Sequence, residues 1–218
     1  MNKEPKVSVI VPTYNQEKYI GRCLRSLLDQ SLEKKFYEII VINDGSVDKT
    51  SYALELFKDD IRILSNQTNK GLAFSVNKGI LKSRGRFVTR VDSDDYVNKE
   101  FLKTLLLFLT ENSSMDAVCC DYYIIDDREK IQVRKSGIND PIACGIMFRI
   151  EQLVELGLYD TSFLVHEETD LRHRFLKKYN IDSVPLPLYR YRKHQTNKTN
   201  DLELMKKHLK KFKEKHKI

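Results

Sequence analysis

Three observations predict an α/β protein with a mostly parallel central sheet flanked by helices. Short apolar, β-branched runs alternate with helix-period stretches through the first 120 residues, the strand-like runs end in polar turns, and no Gly/Ser linker or composition break divides the chain. Val7 to Val11 is the first strand, closed by Pro12. Helical spacing follows, with Tyr19, Ile20, Cys23, Leu24, Leu27 and Leu28 on one face and Asn15 placed to cap it. Glu38 to Ile42 is a second strand, ending in the turn Asn43-Asp44-Gly45-Ser46, with a short helix after it through Phe57. Ile61 to Leu64 is a third strand. Gly71 to Ser83 is a helix, with Leu72, Val76 and Ile80 four residues apart.

Phe87 to Val91 then leads into Asp92-Ser93-Asp94-Asp95, three acids within four positions. A helix around Phe101 to Leu109 and a strand at Ala117 to Cys120 complete the regular part. Asp121 to Asp140 is polar with weak alternation, which fits a hairpin over the sheet. Asp201 to Ile218 spaces Leu202, Met205, Leu209 and Phe212 three, four and three apart among lysines, a basic amphipathic helix. The expected organisation is one domain over residues 1–199 and this helix over 200–218.

Composition narrows the class. The chain has 218 residues, 41% hydrophobic and 32% charged, an ordinary soluble balance. No apolar stretch approaches the roughly 20 residues of a membrane span, and the polar start is unlike a signal peptide. The expected location is the cytoplasm, with peripheral contact at the inner face of a membrane as an option for the basic helix. Cys23, Cys119, Cys120 and Cys144 have neither zinc spacing nor disulfide density, so buried reduced thiols are expected. Of the formal charge of +7, the last eighteen residues carry about +4, from seven lysines against three acids. The basic helix has no aromatic interleaving beyond Phe212, and no nucleic-acid motif is present, so nucleic acid is not an expected partner.

Ligands of open α/β sheets bind at the carboxyl ends of strands. Three such ends are polar here, Pro12-Thr13-Tyr14-Asn15, Asn43-Asp44-Gly45-Ser46 and Asp92-Ser93-Asp94-Asp95, and they are expected to meet in one pocket. Closely spaced carboxylates repel, so the acids are expected to share a Mg²⁺ or Mn²⁺ ion. One of them would suffice as a helix cap. Tyr14 offers a flat ring for a nucleobase or a packing side chain. Asp44 offers an acceptor for a base N–H or the first residue of an Asp-Gly turn.

Val-Ile-Val-Pro-Thr-Tyr-Asn at 9 to 15, Val-Ile-Asn-Asp-Gly-Ser-Val-Asp-Lys-Thr at 41 to 50, Asn69-Lys70-Gly71 and Asp92-Ser93-Asp94-Asp95, in that order, are similar to the family 2 glycosyltransferases with the GT-A fold, a Rossmann-like nucleotide-diphospho-sugar transferase fold. The likeness is strong from residue 5 to about 112 and looser to about 199. It implies a metal-dependent, inverting transfer of a hexosyl or N-acetylhexosaminyl group from a nucleotide-diphosphate sugar, most often a UDP-sugar, to a hydroxyl of a glycan or lipid-linked acceptor in surface polysaccharide assembly. By position, the resemblance implies that Pro12 and Tyr14 flank the base, that Asp44 binds its ring N–H and that Gly71 lets backbone approach the nucleotide. Asp92 would face the ribose or sugar, Asp94 would be the principal metal ligand and Asp95 would serve the metal or the acceptor side.

The resemblance also implies an acidic pair before a helix, here Glu167-Glu168, with Glu168 as general base where Asp is usual and Glu167 on the acceptor side. An acidic first helical turn, favoured by the helix dipole, is the simpler reading of the same residues. The segment Tyr191-Arg192-Lys193-His194-Gln195-Thr196-Asn197-Lys198-Thr199 resembles a family stretch in which His194 completes the metal shell and Arg190 or Arg192 meets the diphosphate. Gly145 to Arg149 resembles a stretch shaping the acceptor side, with Gly145 a candidate contact. One departure is Ser75-Val76-Asn77 where the family commonly has Ala-Arg-Asn, so a basic residue near the nucleotide is missing. That departure and Glu168 leave an alternative, a catalytically silent fold that binds a nucleotide or a partner protein. Oligomeric state is open.

Overall fold

The computed structural model describes residues 4–195, 197 and 200–218. Four strands alternating with three helices open the chain: β1 (Val7–Thr13), α1 (Ile20–Leu28), β2 (Tyr37–Asn43), α2 (Thr50–Glu55), β3 (Arg62–Ser65), α3 (Leu72–Leu81) and β4 (Phe87–Arg90). There follow β5 (Tyr96–Val97), α4 (Phe101–Glu111), β6 (Ala117–Ile125), β7 (Ile131–Lys135), β8 (Ile146–Arg149), α5 (Ile150–Glu155), α6 (Glu167–Leu176), β9 (Ile181–Arg192) and α7 (Leu202–His216). Among the described residues the strands form one sheet in the order β3-β2-β1-β4-β8-β6-β9-β5, with β7 added beside β6. The first four run parallel, and β8 joins them antiparallel to β4 and β6.

Alternation along β1 sorts the core into two layers. Val7, Val9 and Val11 point to the face covered by α1 and α4, where Cys23, Leu24, Leu27, Phe101 and Leu105 are buried. Ile10 points the other way, to Ala73, Val76 and Ile80 of α3 and to Leu171 and Phe175 of α6. Nine residues are too few for an independently stable helix, so α1 exists because it buries four apolar side chains, each contributing about 1–3 kcal/mol. On α3, a Cβ at Gly79 would lie 2.7 Å from Ile10 and Ile42 side-chain atoms, so the glycine lets the helix sit close on the sheet.

Three expectations needed correction or extension. Asn15 does not cap α1. It adopts a left-handed conformation (φ 54°) and bonds the neighbouring strand-end loop, while Tyr19 takes the cap position without a side-chain bond. The hairpin expected over Asp121 to Asp140 is present as the antiparallel β6–β7 pair, with β6 extending well past Cys120. The long strand β9 was not expected at all, because Pro185 and Pro187 interrupt its pattern. They are accommodated where the β6–β9 register shifts around Asp121. The four cysteines are buried and free, as expected.

Helix α7 begins at Asp201, whose Oδ1 accepts from the Leu204 N–H at 2.9 Å. It docks on α6 through Phe212, set edge-on to His173, and through His208 against Phe163. Leu202 and Leu209 of the expected apolar stripe stay exposed. The ionic centre of this interface is Asp170 of α6, fully buried, which accepts from Arg174 at 2.8 Å and His216 at 2.8 Å and lies 2.6 Å from Lys215. Burial alone would raise the Asp170 carboxyl, but Lys215, His216 and Arg174 outweigh it and hold it below the usual carboxylate range.

Replacing Asp170 with Ala removes the carboxylate that Arg174, Lys215 and His216 share. The expected cost is about 2–3 kcal/mol, somewhat below the ~3–5 kcal/mol of a fully buried pair because the cations stay partly wet. Because the folded carboxyl titrates below its unfolded value, the contribution is present above the ordinary Asp pKa and is lost on acidification. Urea titrations at neutral and acidic pH check both: the variant deficit should be large at neutral pH and shrink in acid.

Candidate active site

The carboxyl ends of β1 and β2 are laced together by reciprocal bonds between their loops. The Asn15 amide donates to Ser46 Oγ at 3.0 Å, Val47 N–H to Asn15 Oδ1 at 2.9 Å, Gln16 N–H to Thr50 Oγ1 at 2.8 Å and Lys49 N–H to Glu17 Oε2 at 2.7 Å. This leaves Pro12, Thr13 and Tyr14 lining one wall of a cavity of about 560 Å³, with the Tyr14 ring 40% exposed. Asp44 lines the same wall. Its carboxylate is held by Asn66 at 2.7 Å and by the Lys70 and Gly71 amides, each at 2.9 Å. Gly71 therefore acts by conformation: its φ of 93° presents the N–H to Asp44 at the start of α3, and a Cβ there would meet nothing within 4 Å. It does not line the cavity itself.

The three acids after β4 do not pool their charge. Asp92 is gripped by Arg90, with Nε donating to Oδ1 at 2.6 Å and Nη2 to Oδ2 at 3.0 Å. Asp94 Oδ2 lies 2.9 Å from His194 Nε2. Asp95 turns inward, 2% exposed, and accepts from the Tyr189 hydroxyl at 2.7 Å and the Arg192 amide at 2.7 Å. Burial, reinforced by Asp94 and Asp92, pushes the Asp95 carboxyl well above its ordinary value. Asp92 and Asp94 line the cavity and Asp95 does not, so its expected role beside the acceptor gives way to a structural one: desolvation drives it to partners on β9.

Among the described residues, Asp92, Asp95 and Cys144 bring ligand-type atoms within 4.8 Å of one another. They form a poor cation site, because both Asp95 oxygens are engaged and burial keeps the Cys144 thiol protonated. Asp94 with His194 is the better fit: a cavity-lining carboxylate beside an imidazole is a donor set suited to Mn²⁺ or Mg²⁺ completed by phosphate oxygens. The His194 ring stacks on Tyr19 at 4.9 Å, and the Tyr19 hydroxyl donates to Asp127 at 2.7 Å. Thr196, Lys198 and Thr199 of the same stretch lie outside the described residues.

Arg192 does not reach the cavity. Its guanidinium is nearly fully buried and bonds the carbonyls of Asp94, Asp126 and Asp127 and the Glu129 carboxylate, bracing the acidic turn against the β6–β7 hairpin. The expected contact with a diphosphate is replaced by this bracing, since a buried guanidinium must find acceptors for its fixed fork of donors. Gly145 likewise sits behind the wall, beside Cys120 and Tyr189, while Cys144 and Ala143 line it.

The opposite wall is the start of α6. His166 precedes it in a left-handed conformation (φ 63°), and Glu167, Glu168 and Asp170 fill its first turn, where the helix dipole favours anions. Glu168 lines the cavity, and its Oε1 accepts from Thr169 Oγ1 at 3.2 Å. Glu167 is 3% exposed and accepts from Arg90 Nη1 at 3.2 Å. Burial raises the Glu167 carboxyl to about 7, Arg90 opposing and Glu168 adding to the shift. Sequence reasoning offered Arg90, with Lys70 and Lys78, only as a substitute for the basic residue missing from Ser75-Val76-Asn77, and it did not find Tyr189 or Asp127. It also did not place Met205 of α7, which lines the rim beside Leu164 and Val165. Arg90 and Tyr189 had as their sequence signal a polar or aromatic residue within a strand, whereas Asp127, in the turn after β6, had none.

A model described as glycosyl transferase family 2 matches residues 8–173. The poly(ribitol-phosphate) β-N-acetylglucosaminyltransferase TarS of Staphylococcus aureus is 43% identical over 112 residues, 50% of this chain and 20% of that protein. The chain thus spans about a fifth of that relative's length. The crystal structure of S. aureus TarS 1–349 in complex with UDP-GlcNAc superposes with a TM-score of 0.77 at 27% identity, covering 90% of this chain and 61% of that one. The mannosyltransferase PcManGT of Pyrobaculum calidifontis, in complex with GDP-Man and Mn²⁺, shares the fold at 18% identity with a TM-score of 0.76, covering 98% and 64%. The GT-A architecture expected from the sequence is the one these structures share.

Because the Glu167 carboxyl holds its proton in the folded state to about pH 7 but only to its ordinary value when unfolded, it favours folding in acid and loses that contribution as pH rises through the interval. Melting temperatures from pH 5 to 8 should therefore fall more steeply for the parent than for Glu167→Gln, which cannot ionise. Parallel profiles would refute the assignment.

Proposed function

The chain belongs to glycosyl transferase family 2, and on that premise we propose that it is a metal-dependent inverting glycosyltransferase. Its donor is a nucleotide-diphosphate sugar, most favourably a UDP-sugar carrying a hexosyl or N-acetylhexosaminyl group. Its acceptor is a hydroxyl of a glycan or lipid-linked glycan in surface polysaccharide assembly. The observation that carries the reading is convergence: Tyr14, Asp44, Asp94 and Glu168, from the ends of three strands and the start of one helix, open into a single cavity. Its volume of about 560 Å³ falls in the range of small-molecule sites.

In this reading Pro12 and the exposed Tyr14 ring flank the base, and Asp44, pre-oriented by the Lys70 and Gly71 amides, accepts its ring N–H. Asp92, fixed by Arg90, faces the ribose or sugar. A divalent cation held by Asp94 and His194 would offset the charge that builds on the leaving diphosphate. Glu168 accepts the proton of the attacking hydroxyl, which must come within about 2.6–3.2 Å of its carboxylate. Attack from the side opposite the diphosphate inverts the anomeric centre in one displacement. The extra methylene of Glu relative to Asp sets the backbone of α6 slightly farther from the acceptor.

Glu168→Gln should lower turnover by about 10²–10⁴-fold, the span of general-base contributions, while UDP binding with Mn²⁺ persists. Asp94→Ala should abolish the Mn²⁺-dependent part of the thermal shift given by UDP. Across UDP, GDP, CDP and dTDP the largest shift is expected with UDP. A catalytically silent protein would give no turnover with any donor and no effect of Glu168→Gln.

No helix among the described residues is long and apolar enough to cross a membrane. The outward face of α7 nevertheless carries exposed Lys206, Lys210, Lys213 and Lys217 with exposed Leu202 and Leu209. It is proposed to rest on an anionic membrane surface, where each lysine contributes about 1 kcal/mol. Vesicles containing phosphatidylglycerol should sediment the protein, less so as salt rises. Binding that survives Lys206→Glu with Lys210→Glu would remove α7 from the account.

A further inference from the structure

Asp92, on the donor wall, and the Glu167-Glu168 pair, on the opposite wall, come from segments some seventy residues apart. One side chain spans them. Arg90, the last residue of β4 and 6% exposed, presents Nε and Nη2 to the two oxygens of Asp92 and its remaining nitrogen, Nη1, to Glu167 at 3.2 Å. Arg90 lines the cavity, as Asp92, Glu167 and Glu168 do. Glu168 accepts a bond from its chain neighbour Thr169, which does not tie it to another element, so its aim depends on what anchors the residues beside it. Asp170 is tied to α7, and Glu167 is tied to Arg90.

We propose that Arg90 is a positioning residue that spans the site, fixing the distance between the donor-facing carboxylate Asp92 and the helix that carries Glu168. The inference rests on the proposed assignment of those two walls. A guanidinium suits this role because its five donors lie in one rigid plane and its charge does not titrate away, so it can grip a carboxylate with two nitrogens and a second with the third. A lysine ammonium at the same place keeps the charge but cannot impose both geometries. The strand supplies rigidity: Ile10 pairs with Arg90 in the parallel ladder, and the backbone on both sides is buried. The sequence hint was a lone cation at the end of an otherwise apolar strand, two positions before the acids.

The test separates positioning from ligand binding and from mere folding. Arg90→Lys should fold, bind UDP with Mn²⁺ within about threefold of the parent, since Tyr14, Asp44 and Asp94 are untouched and Asp92 keeps a cationic neighbour, and turn over UDP-sugar at least tenfold more slowly. A parallel loss of UDP affinity and turnover would make Arg90 a donor ligand and overturn the proposal, as would unchanged turnover. A second measurement does not need activity. At pH 8, where the unfolded chain ionises Glu167 and the folded one must bury it without its cation, Arg90→Gln combined with Glu167→Gln should melt higher than Arg90→Gln alone. Additive melting losses would show that the two residues are not coupled. If the parent protein turns over no donor, the assignment of function fails while the melting cycle still decides whether Arg90 bridges the walls.

Discussion

Three carboxylates at the carboxyl edge of a buried sheet impose the constraint around which the rest of this molecule is arranged. Left together they would repel and suffer desolvation, each at a cost of several kcal/mol. The fold answers by giving each a separate partner from a different part of the chain. Arg90 of the same strand takes Asp92, the loop after β9 brings His194 to Asp94, and β9 itself offers Tyr189 and the Arg192 amide to Asp95. The partners of Asp94 and Asp95 exist at that place only because β9 runs beside β6 and β5.

The same logic extends to the opposite wall. An acidic first turn on α6 is favoured by the helix dipole, yet burial of Glu167 and Asp170 demands cations of its own. Glu167 borrows Arg90, and Asp170 draws in Lys215 and His216 of α7. Glu168, between them, is left to face the cavity. The C-terminal helix is therefore joined to α6, the helix that carries Glu168, by a buried ionic contact, and through Met205 it also reaches the cavity rim. Loop lacing between β1 and β2 does for the wall of Tyr14 and Asp44 what these ion pairs do for the other: it fixes backbone so that Tyr14 and Asp44 can present their side chains.

Where sequence reasoning succeeded, the signal was local. Apolar periodicity located β1, β2, β4, α1, α3 and α4, because the period of burial is set by backbone geometry within one element. Polar residues at three strand ends marked the cavity, because ligands of such sheets gather there. Where it failed, the information was distant. The prolines that hid β9 make sense only beside the register shift in β6. Asn15 fits a helix cap by pattern, but Ser46 and Val47 of the next loop compete for it and win.

The amino-acid sequence by itself determined the alternation of strands and helices through the first 120 residues, the family, and the polar strand ends around one pocket. Only the tertiary structure decided how the acids divide: Asp92 and Asp94 facing the cavity, Asp95 turned into the protein, and Arg192 spent on bracing the turn. The reason is physical separation along the chain. Asp92 takes its partner from two positions away, but the bonds that settle the others join residues 63 to 100 positions apart, Arg192 with Glu129 and Asp94 with His194 at the two ends of that span. No local pattern encodes which buried charge will find which partner.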